Sequence, residues 1–482
     1  MIGLQSQHTQ GAGPMKGNNR MSRPPGLRAG WRAGLVAALV PMALGSAAQT
    51  PLQWNPAPDT ATSAPATLPT TPSPKPAYRA PGASTMPLAN GFDVHLFEAM
   101  AQEIVANQRV PGLAMAIVHD GRVLSARGYG ITDVQAAQPV DAHTVFRLAS
   151  LSKSFAGTVT GMLVSEGSLR WDSRVNDYMP ALQLSDPEAA RRLTVADVLS
   201  HRVGLTHNTY DRDLERDADY HSLVQKLAYA PMTCGVGECY SYQNIAFSLV
   251  GDVVFAATGQ FFSETVASRI FKPLGMNDAS YGLEGIQASA RWARPHVRAG
   301  GGWRSLMPKP TYYRVAPAAG VNASISDMAQ WLLAQSGHRP DVLPAPLLAT
   351  LQAPIVATPG ELRGSSWRRE RLNTAGYALG WRVYDYAGHR VVFHGGAVRG
   401  YRGLMAMMPE RDLGIVILWN SDSSLPSGLL PTILDRAIGL PAQRWLDVDL
   451  SEETLYAGHA LPAQSPDSEV GGAASTADAT PR

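Results

Sequence analysis

The chain has 482 residues, 45% of them hydrophobic, with 41 Lys and Arg against 39 Asp and Glu and a formal net charge of +2. That is enough apolar material for one large domain or two closely packed ones. The balanced charge offers no basic face to nucleic acid and no like-charge run to a membrane surface, so neither partner is expected.

At the N-terminus, Arg23, Arg28 and Arg32 precede an apolar stretch from Ala33 to Leu44, and Ser46, Ala47 and Ala48 follow it. This charged, apolar, small-residue order is that of a cleavable secretory peptide, and the apolar run is short for a membrane span. Residues 1–48 are therefore read as a signal peptide with an N-terminal extension. Residues 49–89, rich in Pro, Thr and Ala, form a linker too poor in apolar surface to order itself. Residues 90–440 are the folded domain, and 441–482 an extension ending in a disordered tail. The expected destination is the periplasm or the medium, with no transmembrane domain in the mature chain. An uncleaved anchor is the alternative.

Within the folded part, Val94, Phe97, Ala101 and Ile104 recur at helical spacing, which predicts a helix over Asp93–Asn107. Leu113–His119 and Val123–Tyr129 read as strands joined by the Asp120-Gly121 turn. The middle reads as helical: Ser152–Glu166, Val195–Ser200, Ile245–Thr258, Phe262–Ile270 and Ser326–Ala334, the last preceded by the capping pair Ser324 and Asp327. Tyr377–Tyr386, Arg390–His394, Tyr401–Met408 and Leu413–Trp419 then read as antiparallel strands, before a helix over Ser427–Ile438. The fold class is thus α/β (α+β): an antiparallel sheet flanked by helices, with an inserted all-helical subdomain over about 155–345. Its first and last segments must meet in space.

Cys234 and Cys239 are the only cysteines and enclose Gly-Val-Gly-Glu. In an oxidising compartment they can form a small local disulfide, worth about 2 kcal/mol by loop entropy. A zinc site needs further ligands at suitable spacing, and no second pair supplies them. No metal and no cofactor are expected.

Ser150-Leu-Ser-Lys153 is an S-x-x-K sequence at a predicted helix start, where residues three apart share a face. A serine hydroxyl needs a base to become a nucleophile, and lysine, with an ordinary pKa of about 10.4, is a base near neutrality only if burial or a nearby cation lowers it. Alone, the motif reads equally well as a helix cap beside a solvated lysine. It is joined by Tyr240-Ser-Tyr242-Gln-Asn244 at the start of an apolar helix and by His394-Gly395-Gly396 on a strand.

These three pieces, in this order, resemble the active-site set of the serine β-lactamase and penicillin-binding superfamily. The branch containing class C β-lactamases, D-aminopeptidases, D-Ala-D-Ala carboxypeptidases and esterases looks nearest, because Tyr242-Gln-Asn244 matches its Y-x-N. Ala196-Asp-Val-Leu-Ser-His201-Arg-Val-Gly204-Leu205 and Arg269-Ile-Phe-Lys-Pro273-Leu-Gly275-Met276 resemble two further segments of that family. The resemblance covers about Phe92 to Ile438 and implies a β-lactamase/transpeptidase-like fold. It implies that Ser150 forms an acyl-enzyme, that Lys153 and Tyr242 manage the proton, and that Asn244 bonds Lys153 or the substrate amide. Either Lys153 or Tyr242 can be the base, and two nearby cations are expected to favour the Tyr242 phenolate.

The same resemblance places an oxyanion hole at the N–H groups of Ser150 and Ala397, and substrate backbone beside His394, Gly395 and Gly396. His394 stands where class C β-lactamases carry lysine, so its titration is expected to shape activity between about pH 5.5 and 7.5. Arg399 or Arg402 is a candidate to supply the missing cation, and His201 and His207 are read as packing and loop residues. The implied activity is acyl hydrolysis of an amide or ester: a D-amino-acid peptide, a peptidoglycan fragment, a β-lactam or a related ester. The alternatives are a dedicated class C-like β-lactamase and a non-catalytic penicillin- or peptidoglycan-binding or regulatory module. Specificity is expected in the loops 207–221 and 291–315.

Overall fold

The computed structural model describes residues 85–446. The signal peptide, residues 49–84 of the linker and the tail from 447 lie outside the described residues. Strand β1 (Gly112–His119) sends Leu113, Met115 and Ile117 to one face and Ala114, Ala116 and Val118 to the other, and both sets are buried. This is why it reads as a nearly continuous apolar run. Its partner β2 (Arg122–Gly130) is an edge strand with its first three residues exposed.

Short strands follow in the middle of the chain: β3 (Phe146–Arg147), β4 (Ser280–Tyr281), β5 (His296–Ala299), β6 (Gly302–Ser305) and β7 (Val321–Ala323). The C-terminal run comprises β8 (Val356–Ala357), β9 (Leu372–Tyr377), β10 (Arg382–Tyr386), β11 (His389–Val398), β12 (Tyr401–Met408) and β13 (Leu413–Trp419). The main sheet has eight strands in the order β2-β1-β13-β12-β11-β10-β9-β8, and all its pairings are antiparallel. Pairing of β1 with β13, from Leu113↔Trp419 to His119↔Leu413, joins the two ends of the domain as expected.

Helix α1 (Val94–Ala106) starts at Asp93, whose carboxylate accepts the His95 N–H at 2.9 Å. It buries Phe97, Ala101 and Ile104 beside Ile433, Leu434 and Ala437 of the last helix (Leu429–Ile438) on one face of the sheet. Each of the Phe, Ile and Leu side chains among these contributes about 1.5–3 kcal/mol. Helix α2 (Ser152–Ser165) and the inserted helices cover the other face. The insertion is mainly helical, and β4–β7 contribute only short pairings within it: β3-β7-β4 and the β5-β6 hairpin.

Three expectations are corrected. The single strand anticipated over Tyr377–Tyr386 is the end of β9 and all of β10, joined by a turn in which the Ala378 N–H donates to the Trp381 carbonyl at 2.7 Å. Leu379 and Trp381 in this turn are fully buried because it packs against α2, so its composition resembles that of a strand. Residues 86–89, assigned to the linker, are tied down by Met86 N–H to the Glu410 carbonyl at 2.8 Å and Ala89 N–H to the Ala437 carbonyl at 3.0 Å. Beyond the domain end expected at 440, Trp445 Nε1 donates to Asp435 at 2.7 Å and Leu446 is buried. Among the described residues no single helix is long and apolar enough to cross a membrane.

Gly380 has φ +86°, and a Cβ there would stand 2.3 Å from the Lys153 carbonyl oxygen. Gly380→Ala is therefore expected to destabilise the domain by about 2 kcal/mol or more, through both strain and the clash with α2. Urea unfolding of the variant checks this. A loss below about 0.5 kcal/mol would contradict so tight an approach.

Candidate active site

Strand β3 leads directly into the Ser150 turn. The Leu148 N–H donates to the Val321 carbonyl at 3.0 Å, and Ala149 then takes φ +50°, an uncommon conformation for a residue with a Cβ. Ser152 secures the turn: its hydroxyl donates to the Ala149 carbonyl at 2.6 Å and accepts the Val321 N–H at 3.0 Å. Ser150 is thus held in a single 3-10 turn at the head of α2.

One helical turn on, Lys153 is completely buried. Its Nζ donates to Asn244 Oδ1 at 2.7 Å and to the Ala318 carbonyl at 3.1 Å, and lies 3.5 Å from Ser150 Oγ. Burial pushes the ammonium well below its ordinary range; Asp211 opposes the shift and Arg382 reinforces it. Tyr242 lines the cleft together with Ser150, and its ring lies 4.7 Å from Lys153 Nζ and 5.3 Å from the Arg382 guanidinium. Burial raises the Tyr242 phenol despite Arg382 and Ser150, which favour the phenolate. The expected phenolate is corrected: desolvation outweighs the nearby cation. Ser150, Lys153, Tyr242 and Asn244 are nevertheless brought together, as anticipated.

His394 is placed differently. It is fully buried behind the cleft wall and its ring nitrogens are bonded to protein groups. The Gln243 N–H donates to His201 Nδ1 at 3.1 Å, so His201 Nε2 is left to donate to the Tyr377 hydroxyl, also at 3.1 Å. That hydroxyl donates to His394 Nε2 at 3.1 Å, and His394 Nδ1 donates to the Gly395 carbonyl at 2.8 Å. Arg382 Nη1, 3.4 Å away, also faces Nε2. A second proton on His394 would confront these donors, and burial, Arg382 and Lys153 all depress its pKa well below 6.5. The expected titration near neutrality, and direct contact of the imidazole with substrate, are therefore corrected.

Gly395, Gly396 and Ala397 do line the cleft. Pairing of β10 with β11 stops at Arg382↔Phe393, while β12 continues beside β11 to Val398, so this stretch runs past its β10 neighbour. A Cβ on Gly396 would stand 2.3 Å from the Leu148 carbonyl oxygen. Close approach to the Ser150 turn, rather than room for substrate, is what requires glycine there.

The cleft encloses about 430 Å³, with Ser150 and Tyr242 joined by His207, Asp211, Tyr312 and the arginines 368, 382 and 402. Of the two anticipated loops, 207–221 supplies His207, Asn208 and Asp211, whereas 291–315 supplies only Tyr312. Arg402, one of the two suggested cations, is on the wall; Arg399 is not among its residues. Arg382, which no motif indicated, is held by Glu361 at 3.1 Å, and Glu361 also takes the Tyr384 hydroxyl at 2.9 Å and pairs with Arg368. Asp211, Arg382, Tyr377 and Glu361 lie outside every recognised triplet and carry no local signal; His201 was read only as packing. Cys234 and Cys239 are bonded to each other, with their Cα atoms 6.2 Å apart, immediately before Tyr240-Ser-Tyr242. Among the described residues, no group of three or more His, Cys, Asp or Glu side chains is arranged to hold a metal ion.

The Beta-lactamase family model matches residues 97–439. An unguisins hydrolase from Aspergillus campestris is 24% identical over 70% of this chain and 63% of its own length. A D-aminopeptidase from Gluconobacter oxydans is 27% identical over 73% of this chain and 64% of its own. The chain thus spans less than two thirds of these two relatives. Among solved structures, the octameric penicillin-binding protein homologue from Pyrococcus abyssi superposes with a TM-score of 0.65 and 24% identity, covering 73% of this chain and 79% of that one. At that identity the superposition shows the shared fold.

His201 and His394 are both held neutral, each depressed first by burial and then by Lys153 and Arg382. In the unfolded chain each titrates near pH 6.5, so below that value the unfolded state binds more protons than the folded one. Their stabilisation is complete above pH 6.5 and is lost on acidification, by about 1 kcal/mol for each between pH 6.5 and 5.5. Urea unfolding at these pH values should show a loss smaller by that amount in His394→Asn than in the wild type. Equal losses would count against a neutral His394.

Proposed function

The chain belongs to the beta-lactamase family, and on that footing we propose that it is a serine acyl-hydrolase working through a covalent acyl-enzyme on Ser150. The observation that carries this reading is the buried Lys153 amine 3.5 Å from the Ser150 hydroxyl, with the Tyr242 ring beside the same amine. Lys153, disfavoured as an ammonium, is the general base: it takes the Ser150 proton as Oγ bonds to the substrate carbonyl carbon. The Ser150 and Ala397 N–H groups receive the negative charge that develops on the carbonyl oxygen. As the tetrahedral intermediate collapses, the neutral Tyr242 phenol gives its proton to the departing amine or alkoxide and is reprotonated from Lys153. Water then repeats the sequence on the acyl-enzyme and releases Ser150.

The substrate class we assign is a small amide or peptide of the D-amino-acid type, or a related ester. Support comes from the relatives' names and from a cleft whose lining carries Asp211 together with Arg368, Arg382 and Arg402. The same three guanidinium groups favour a second reading, turnover of β-lactams, which carry a carboxylate. Export to the cell envelope is proposed from the charged, apolar, small-residue order of the first 48 residues.

Mass spectrometry after incubation with a fluorophosphonate or a penicillin should map each adduct to Ser150, and slow decay of the penicillin adduct would favour peptidase over β-lactamase chemistry. Ser150→Ala should lose the adduct and at least about a thousandfold in hydrolysis of a D-aminoacyl anilide or ester. Full hydrolysis by that variant, or labelling elsewhere, would overturn the assignment.

A further inference from the structure

We propose that Asp211 is a positioning residue: it fixes the orientation in which Asn244 receives Lys153 and places a negative charge behind that contact. The inference rests on the reading of Lys153 as the base. The Asn244 carboxamide has two distinct ends. Its Oδ1 accepts from Lys153 Nζ at 2.7 Å, while its Nδ2 donates to Asp211 Oδ2 at 2.7 Å. Turning the amide over would set its N–H donors against the Lys153 donors and its oxygen against the carboxylate, two repulsive contacts in a buried place. Asp211 therefore selects one of two otherwise similar rotamers.

Asp211 is itself well held. It opens the short helix Asp211–Glu215, preceded by Tyr210 at φ +62°, and its N–H donates to the Asn208 carbonyl at 3.1 Å. The Tyr312 hydroxyl lies 3.3 Å from its Oδ2 and 2.9 Å from Glu215 Oε1, so one proton serves two acceptors. Its Oδ1 is buried with no protein partner, and the residue is only 7% exposed. Burial raises the Asp211 carboxyl, while the Asn244 bond, Lys153 and the Tyr312 bond favour its charged form, whose field acts on the amine across Asn244.

The charged and titratable groups facing Lys153 are Asp211, Arg382 from β10, Tyr242, and the neutral His201 and His394. Tyr242 is a neutral phenol, so Asp211 is the negative charge in this set. It favours the ammonium, against burial and Arg382. Lys153 must be unprotonated to act, so the rate of Ser150 attack falls on the acid side as the amine gains its proton. Removing the Asp211 charge makes that proton easier to lose and moves the acid limb to lower pH.

The test is the second-order rate of fluorophosphonate labelling of the full chain from pH 5 to 9, which reads Ser150 attack without a known substrate. Asp211→Asn, whose side-chain carbonyl still accepts from Asn244, should move the acid limb down by about half to one pH unit. Asp211→Ala, which frees the amide, should also cost about tenfold to a hundredfold on the plateau. If Asp211→Asn does not fold, Asp211→Ala decides alone, since its limb must also move to lower pH. An unmoved limb in the folded variants, or an equal loss at every pH, overturns the proposal and leaves the serine hydrolase reading standing. Wild-type labelling away from Ser150 would instead remove that reading, and this inference with it.

Discussion

An amine enclosed by protein beside a serine hydroxyl is the constraint around which the rest of the structure is arranged. Water would stabilise the Lys153 ammonium, and burial removes that water. Three acceptors replace it, Asn244 Oδ1, the Ala318 carbonyl and, at 3.5 Å, Ser150 Oγ, and Arg382 repels a positive charge there. Without that enclosure the S-x-x-K pair would be a helix start with an ordinary surface lysine.

The enclosure is built from three directions. From below, α2 meets the β9–β10 turn closely enough that Gly380 tolerates no side chain. From the sheet, β11 runs past β10 and meets the Ser150 turn at Gly396, where again no Cβ fits. From the insertion come Asn244, Tyr242 and the short helix bearing Asp211. Each contact joins parts of the chain far apart in sequence, and closure of the sheet by β1 and β13 keeps them in register. Stability and chemistry therefore share their most sensitive positions.

Behind the cleft, a chain of hydrogen bonds passes from Gln243 through His201 and Tyr377 to His394 and Gly395. Each proton on it is accounted for by a donor and an acceptor, so both imidazoles are structural dipoles rather than charges. The positive charge on that side belongs to Arg382, which Glu361 holds in place. The cation on this wall comes from β10, not from the His394-Gly395-Gly396 stretch of β11.

Local sequence determined a good deal. Helical spacing placed α1 and α2 almost to the residue, the Asp120-Gly121 turn set the first hairpin, and three residues of separation put Lys153 on the face of Ser150. Such features depend on backbone geometry within a turn or two, which sequence spacing encodes directly. The β9–β10 turn escaped because its buried Leu379 and Trp381 look like strand residues. Tertiary structure alone decided which groups are dry and which face one another: Asp211 against Asn244 across 33 residues, Lys153 against Asn244 across 91, and His394 turned into the core. Burial and long-range charge set protonation, and neither is a property of any short stretch of chain.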